Sequence, residues 1–157
     1  EFANAVQKAG IDGILTVDLP PEEAEECAQL LIDREIDPIF LLAPNSSTAR
    51  IEKMAAIGRG YLYYVSLKGV TGAGHLNIEQ VKQKLAEIRQ YTELPVAVGF
   101  GVKDAETAQT IANLADGVVV GSALIRKIEQ HLTNPELANL QIVELLSAMR
   151  SAMNQTQ

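Results

Sequence analysis

The fold is most clearly indicated by two apolar segments, PVAVGFG at residues 95–101 and GVVVGS at residues 117–122. Each has the run of β-branched residues expected of a buried strand, and each passes through glycine into a helix-like segment. Because parallel strands joined by helices end at the same edge of a sheet, we expect the two glycine turns to lie side by side. Glycine lets backbone N–H groups approach a ligand closely, and a helix N-terminus adds positive potential. The pair therefore predicts a binding site for a phosphorylated small molecule.

The same alternation of strand and helix extends over the rest of the chain. Further strands are expected within residues 13–18, 38–43 and 61–66, with amphipathic helices between them. One such helix carries Ile78, Val81, Leu85 and Ile88 on one face, and the helix that closes the chain carries Ile142, Leu145, Leu146 and Met149 on one side. Five strands with helical crossovers predict the α/β class and a parallel sheet. A (β/α)8 TIM barrel has eight strands. Because only five are recognisable here, we expect residues 1–157 to form part of a single phosphate-binding barrel domain, with no second domain.

Composition excludes several classes of function. The net charge is −7 and there is no basic stripe, which argues against nucleic acid or an anionic membrane as a partner. Cys27 is the only cysteine, so no disulfide can form within the chain, and a reducing, cytoplasmic location is expected. His75 and His131 stand apart from any ligand-like pattern, and no metal site is expected.

Several residues permit both a functional and a purely structural interpretation. The glycine-rich segment 69–74 is either a surface loop or a lid that brings the Thr71 hydroxyl over a ligand. Asp18 follows a strand, where barrel enzymes place functional groups, but it equally suits a helix cap. Tyr63 and Phe100 lie in apolar strands and, on pattern alone, are core residues. The sequence contains no convincing pair of buried carboxylates for acid–base chemistry.

Taken in order, these segments resemble the tryptophan synthase alpha chain family. The most specific part is Gly-Val-Thr-Gly-Ala at residues 69–73 together with Gly-Phe-Gly at residues 99–101. The resemblance extends over essentially the whole chain and is carried by residues 12–23, 38–45, 58–63, 66–73, 98–102 and 121–125.

This resemblance implies an activity and a partner. The family is a (β/α)8 barrel, and the five strands here would correspond to its strands four to eight, the C-terminal part of the barrel. The family cleaves indole-3-glycerol phosphate by a retro-aldol reaction to indole and glyceraldehyde 3-phosphate. Its partner in an α2β2 complex is the beta chain, which holds pyridoxal phosphate, so no cofactor is expected on this chain.

The resemblance also assigns roles to individual residues. The family's phosphate-binding positions correspond to Gly72, Gly101, Gly121 and Ser122. Its indole pocket corresponds to Leu15, Val17, Leu41, Tyr63 and Phe100. Thr71 matches the lid threonine that orients a catalytic aspartate, and the segment from Asp18 to Pro20 lies where the family contacts its partner. The family's catalytic glutamate and aspartate would lie upstream of Glu1, so residues 1–157 alone are expected to be inactive.

Two other interpretations compete with a lyase. One is a non-catalytic half-barrel that binds phosphate and assembles through its open sheet edges. The other is a different phosphate-binding barrel enzyme, which would share the terminal glycine turns but not the Gly-Val-Thr-Gly-Ala segment.

Overall fold

A computed structural model describes residues 1–17, 19–66, 78–99 and 101–155. Within those ranges five strands alternate with helices, and two consecutive helices close the chain. The elements are α1 (Phe2–Lys8), β1 (Gly13–Thr16), α2 (Pro21–Ile32), β2 (Asp37–Leu42), α3 (Thr48–Ile57), β3 (Leu62–Val65), α4 (Ile78–Ile88), β4 (Val96–Gly99), α5 (Ala105–Ala112), β5 (Gly117–Val119), α6 (Ser122–Gln130) and α7 (Pro135–Met153).

The five strands form one parallel sheet whose spatial order is the order of the sequence, β1-β2-β3-β4-β5. A doubly wound sheet reverses its strand order at a switch point, and this sheet has no such reversal. Sequential parallel strands are the arrangement found in a (β/α)8 barrel. The predicted α/β class, the parallel sheet and the five strands are confirmed.

The helices bury their apolar residues against one face of the sheet. Helices α2, α3, α4, α5 and α7 all contribute to one hydrophobic core, and the strand residues in that core alternate along each strand. In β3, Leu62 and Tyr64 are buried, whereas Tyr63 and Val65 are partly exposed. The sheet therefore has a helix-covered face and an open face, as one wall of a barrel would.

The predicted helical faces agree with the structure, with one exception. Val81, Leu85 and Ile88 are each at most 2% exposed. The segment that ends the chain was expected to bury Leu146 together with Met149, but Leu146 is 41% exposed while Met149 is buried. Helix α7 carries apolar side chains around more than its core-facing side, so periodicity alone does not identify the buried ones. None of the described helices combines the length and apolar character needed to cross a membrane.

A reciprocal pair of hydrogen bonds ties the start of β4 to the residue before β5. The Val96 N–H donates to Asp116 Oδ2 at 2.9 Å, and the Asp116 N–H donates to the Val96 carbonyl at 3.0 Å. The first of these bonds holds the pKa of Asp116 below its usual value, with a smaller contribution from Arg89. Because Val96 is fully buried, its N–H has to be satisfied within the protein.

Replacing Asp116 by alanine should destabilise the chain by about 1–3 kcal/mol, because it leaves the buried Val96 N–H without an acceptor. Asp116→Asn is the matched control, since its amide oxygen still accepts from Val96. Urea denaturation measures both variants. Equal stabilities of Asp116→Ala and the wild type would contradict the importance of this bond.

The same carboxyl group predicts an acid-sensitive contribution to stability. Folding lowers the pKa of this carboxyl from its ordinary value of 3.8, so its contribution to stability is present above that value and is lost as the pH falls through the lower folded-state pKa. The stability difference between wild type and Asp116→Asn should therefore shrink below about pH 4. Denaturation midpoints from pH 7 to pH 2.5 test this, and a constant difference would contradict it.

Candidate functional site

The two glycine turns lie side by side at the carboxyl edge of the sheet. Gly99 ends β4, Val119 ends β5, and these two residues are partners in the parallel register. Gly101 and Gly121 each follow two residues later, and both are exposed. Parallel pairing thus brings together two turns that are 20 residues apart in sequence, as the sequence predicted.

Gly101 has a backbone conformation that favours glycine. Its φ is +83°, in the left-handed region that is sterically unfavourable for residues with a Cβ atom. Gly101 stands two residues past the end of β4 and four residues before α5 begins at Ala105.

The second turn opens directly into a helix whose first N–H groups are available. Gly121 is the N-cap of α6 and supplies no side-chain cap. Its carbonyl accepts from the N–H groups of Leu124 and Ile125, while those of Ser122 and Ala123 have no acceptor among the described residues. A Cβ atom placed on Gly121 would meet no atom of the described residues within 4 Å. This helix start offers free donors next to open space, the arrangement that binds a phosphate group.

The neighbouring helix α5 is closed to an anion at its own N-terminus. Asp104 accepts from the Thr107 N–H at 2.9 Å, and Thr107 Oγ1 accepts from the Asp104 N–H at 3.2 Å, which completes a capping box. The Thr107 N–H, together with the Thr107 hydroxyl that donates to Asp104 Oδ1 at 2.7 Å, keeps the pKa of the Asp104 carboxyl below its usual value. A carboxylate at this position would repel a phosphate, so the free helix N-terminus of the pair is that of α6.

The residues predicted for the indole pocket lie on the open face of the sheet where the structure describes them. Leu41 and Tyr63 are register partners in β2 and β3, and Leu15 lies on the same face of β1. Val17 follows the end of β1 and is 53% exposed. Together these side chains form an apolar surface below the strand ends.

Tyr63 links this apolar surface to the first glycine turn. Its hydroxyl lies against Gly99, at the position that a Cβ atom on residue 99 would occupy. Burial raises the pKa of Tyr63, and Tyr61 raises it further, so the hydroxyl stays protonated at neutral pH. The side chain adds a hydrogen-bonding group to an otherwise apolar wall.

Sequence reasoning missed Ser66, which directly follows β3. Among the described residues, Ser66 is the one buried polar residue, and 5% of it is exposed. Its N–H and its hydroxyl both donate to the Gly99 carbonyl, each at 3.0 Å. The local signal was a serine at the end of an apolar strand, but its partner 33 residues further on depends on strand register.

Some predicted site residues lie outside the described residues: Asp18, Thr71, Gly72 and Phe100. Pro20, the other residue predicted to contact a partner, is the exposed N-cap of α2. Within the described ranges no group of three or more potential ligand side chains is arranged to hold a metal ion.

Comparison with known proteins identifies relatives over almost the whole chain. The family profile "Tryptophan synthase alpha chain" matches residues 1–154. The tryptophan synthase alpha chain of Methylococcus capsulatus is 58% identical over 153 residues, which are 98% of this chain and 57% of the relative. That of Nitrosococcus oceani is 51% identical over 156 residues, or 99% of this chain and 58% of the relative.

Solved structures agree in fold. Tryptophan synthase subunit alpha from Legionella pneumophila superposes with a TM-score of 0.83 at 35% identity, covering 98% of this chain and 56% of that one. A chain from the a2b2 tryptophan synthase complex of Pyrococcus furiosus gives a TM-score of 0.81 at 32% identity, covering 96% and 60%.

The chain thus spans somewhat less than three fifths of the length of the relatives named above. Its five parallel strands and their helices are a part of the family's TIM barrel. With a family profile matched from residue 1 to residue 154, the chain belongs to the tryptophan synthase alpha chain family.

Proposed function

We propose that this chain supplies the phosphate site and part of the indole pocket of a carbon–carbon lyase. The reaction is the retro-aldol cleavage of indole-3-glycerol phosphate to indole and glyceraldehyde 3-phosphate, a step in tryptophan biosynthesis. Membership of the family supports this activity, and it disfavours an unrelated phosphate-binding barrel.

The observation that carries the proposal is the pair of glycine turns at the ends of β4 and β5. The free N–H groups of Ser122 and Ala123 at the start of α6 would donate to the phosphate oxygens, and Gly101 would bring its backbone close from the neighbouring turn. Gly72 would add a further backbone group. With a net charge of −7, the chain has to bind a phosphate through such local dipoles rather than through its overall charge.

The indole ring would lie on the open face of the sheet. Leu15, Leu41 and Tyr63 present an apolar surface there, with Val17 at its rim, and Phe100 would complete the pocket. The glycerol part of the substrate would connect the phosphate at the strand ends to the indole ring on this wall. Thr71 would contribute from the lid.

Proton transfer would depend on residues outside residues 1–157. The family uses a glutamate and an aspartate, one to move protons at the glycerol and at indole C3, the other to stabilise the indolenine N–H as the bond breaks. The chain's proposed contribution is therefore to bind and orient the substrate. Residues 1–157 alone should therefore not cleave indole-3-glycerol phosphate.

We further propose a beta chain as the partner, in an α2β2 assembly in the cytoplasm. The structure of the Pyrococcus furiosus relative is described as an a2b2 complex with mutual activation. Asp18 and Pro20 are the candidate contact residues, and Pro20 is exposed. Pyridoxal phosphate would belong to the beta chain.

The test uses a completed chain, in which residues 1–157 are joined to the part of the Methylococcus capsulatus relative that they do not match. It should release indole from indole-3-glycerol phosphate and leave other sugar phosphates intact. Residues 1–157 alone should release none above the uncatalysed rate. A folded but inactive completed chain would count against the lyase, and a phosphate-binding oligomer of residues 1–157 would favour the half-barrel module instead.

Gly121→Ala in the completed chain tests the phosphate site with little disturbance of the fold. A methyl group there meets no atom of the residues that the structure describes, so the loss of stability should be at most about 1 kcal/mol, the usual cost of alanine at an N-cap. The same methyl group would occupy the space beside the free N–H groups of α6. We expect KM for indole-3-glycerol phosphate to rise roughly tenfold or more, about the worth of one charge-assisted hydrogen bond.

Ser47→Ala is the matched control for this variant. Ser47 is the N-cap of α3, where its hydroxyl accepts from the Arg50 N–H at 3.3 Å, so its loss should cost a similar amount of stability. Steady-state kinetics should show an unchanged KM for the control. If KM for Gly121→Ala is also unchanged, the phosphate does not bind at this helix N-terminus.

A further inference from the structure

The end of β4 is held from β3 by two hydrogen bonds that come from one residue. The N–H of Ser66 donates to the Gly99 carbonyl at 3.0 Å, which continues the ladder between the two strands. The Ser66 hydroxyl donates to the same carbonyl oxygen, also at 3.0 Å. The Gly99 carbonyl oxygen has two lone pairs, so it can accept both hydrogen bonds from this one residue.

The second of these bonds is not needed to form the sheet. The ladder is already complete through the N–H group, and burying a hydroxyl carries a desolvation cost that its hydrogen bond only offsets. Among the bonds between described residues, no other strand-end carbonyl accepts from a side chain. The serine hydroxyl thus adds a constraint at one particular strand end.

That strand end is the one that leads to the first glycine turn. Gly99 precedes Gly101 by two residues, and Gly101 has the left-handed φ of +83°. On its other side, Gly99 is in contact with the Tyr63 hydroxyl. The carbonyl fixed by Ser66 therefore lies between the wall proposed for the indole ring and the turn proposed for the phosphate.

We propose that Ser66 is a positioning residue for the phosphate site. By fixing the Gly99 carbonyl, its hydroxyl sets the direction in which the chain leaves β4, and so the orientation of the backbone at Gly101. It does not touch the substrate. This role rests on the proposed function, because it presupposes that the Gly101 turn binds the substrate phosphate.

The experiment compares Ser66→Ala with Ser66→Thr in the completed chain, with Ser47→Ala as the control of similar stability cost. Ser66→Ala should raise KM for indole-3-glycerol phosphate about three- to tenfold and change kcat less, because the loss affects binding of the phosphate rather than the bond-breaking step. Inhibition by inorganic phosphate should weaken by a similar factor. Ser66→Thr keeps the hydroxyl and should return both values to within about twofold of wild type.

The outcomes separate this proposal from the proposed function. An inactive wild-type completed chain would contradict the lyase itself. An active wild type in which Ser66→Ala and Ser47→Ala have the same KM and phosphate inhibition would overturn the positioning role, as would a Ser66→Thr variant no better than alanine. Since neither KM nor the inhibition constant depends on the concentration of folded enzyme, a lower folded fraction does not obscure the result.

Discussion

The helices are buried against one side of the sheet, and this one-sided packing determines how the chain is arranged. Helices α2, α3, α4, α5 and α7 share one core with the alternate residues of the strands. Since each connection returns on the same side, each new strand is added beside the previous one, and the spatial order follows the sequence. All five strands then end at one edge, where their turns can act together.

At that edge, the differences between helix N-termini determine which turn can receive an anion. Helices α3 and α5, which follow β2 and β4, are capped by the side chains of Ser47 and Asp104, whereas α2 has no side-chain cap and carries Glu22 and Glu23 in its first turn. Helix α6 begins at Gly121 without a side-chain cap, immediately after β5. A capped helix has used its first donors internally, whereas an uncapped one retains them for a ligand. The absence of a capping side chain at Gly121 thus leaves the first N–H groups of α6 free for the phosphate in the proposed function.

Much of this arrangement was predictable because it follows from local periodicity. Val81, Leu85 and Ile88 recur at helical spacing, and all three are buried. The strand segments were recognisable as apolar runs, although the strands are shorter than the runs, for example Val96–Gly99 within residues 95–101. The glycine pair was predictable because parallel strands have to end together.

The rest depended on contacts that no local pattern contains. Leu146 and Met149 are both apolar, and only packing against α5 and the sheet distinguishes the buried one from the exposed one. The local sequence does not distinguish Ser66 from any other residue that follows a strand. Its hydrogen bonds to Gly99 are recognised only once the register of β3 against β4 is known. Long-range register and the identity of a packing partner are properties of the folded chain, not of a segment.

Substitutions on the helix-covered face and on the open face of the sheet should also have different consequences for stability. A substitution at Leu42 or Leu62, which are fully buried beneath the helices, alters the packing of the whole core. Leu41 and Tyr63, one residue away along the same strands, lie outside that core. Their side chains can change in size and shape at smaller cost to folding. Such a scaffold can change the shape of the surface proposed for the indole ring through successive mutations while its stability remains nearly constant.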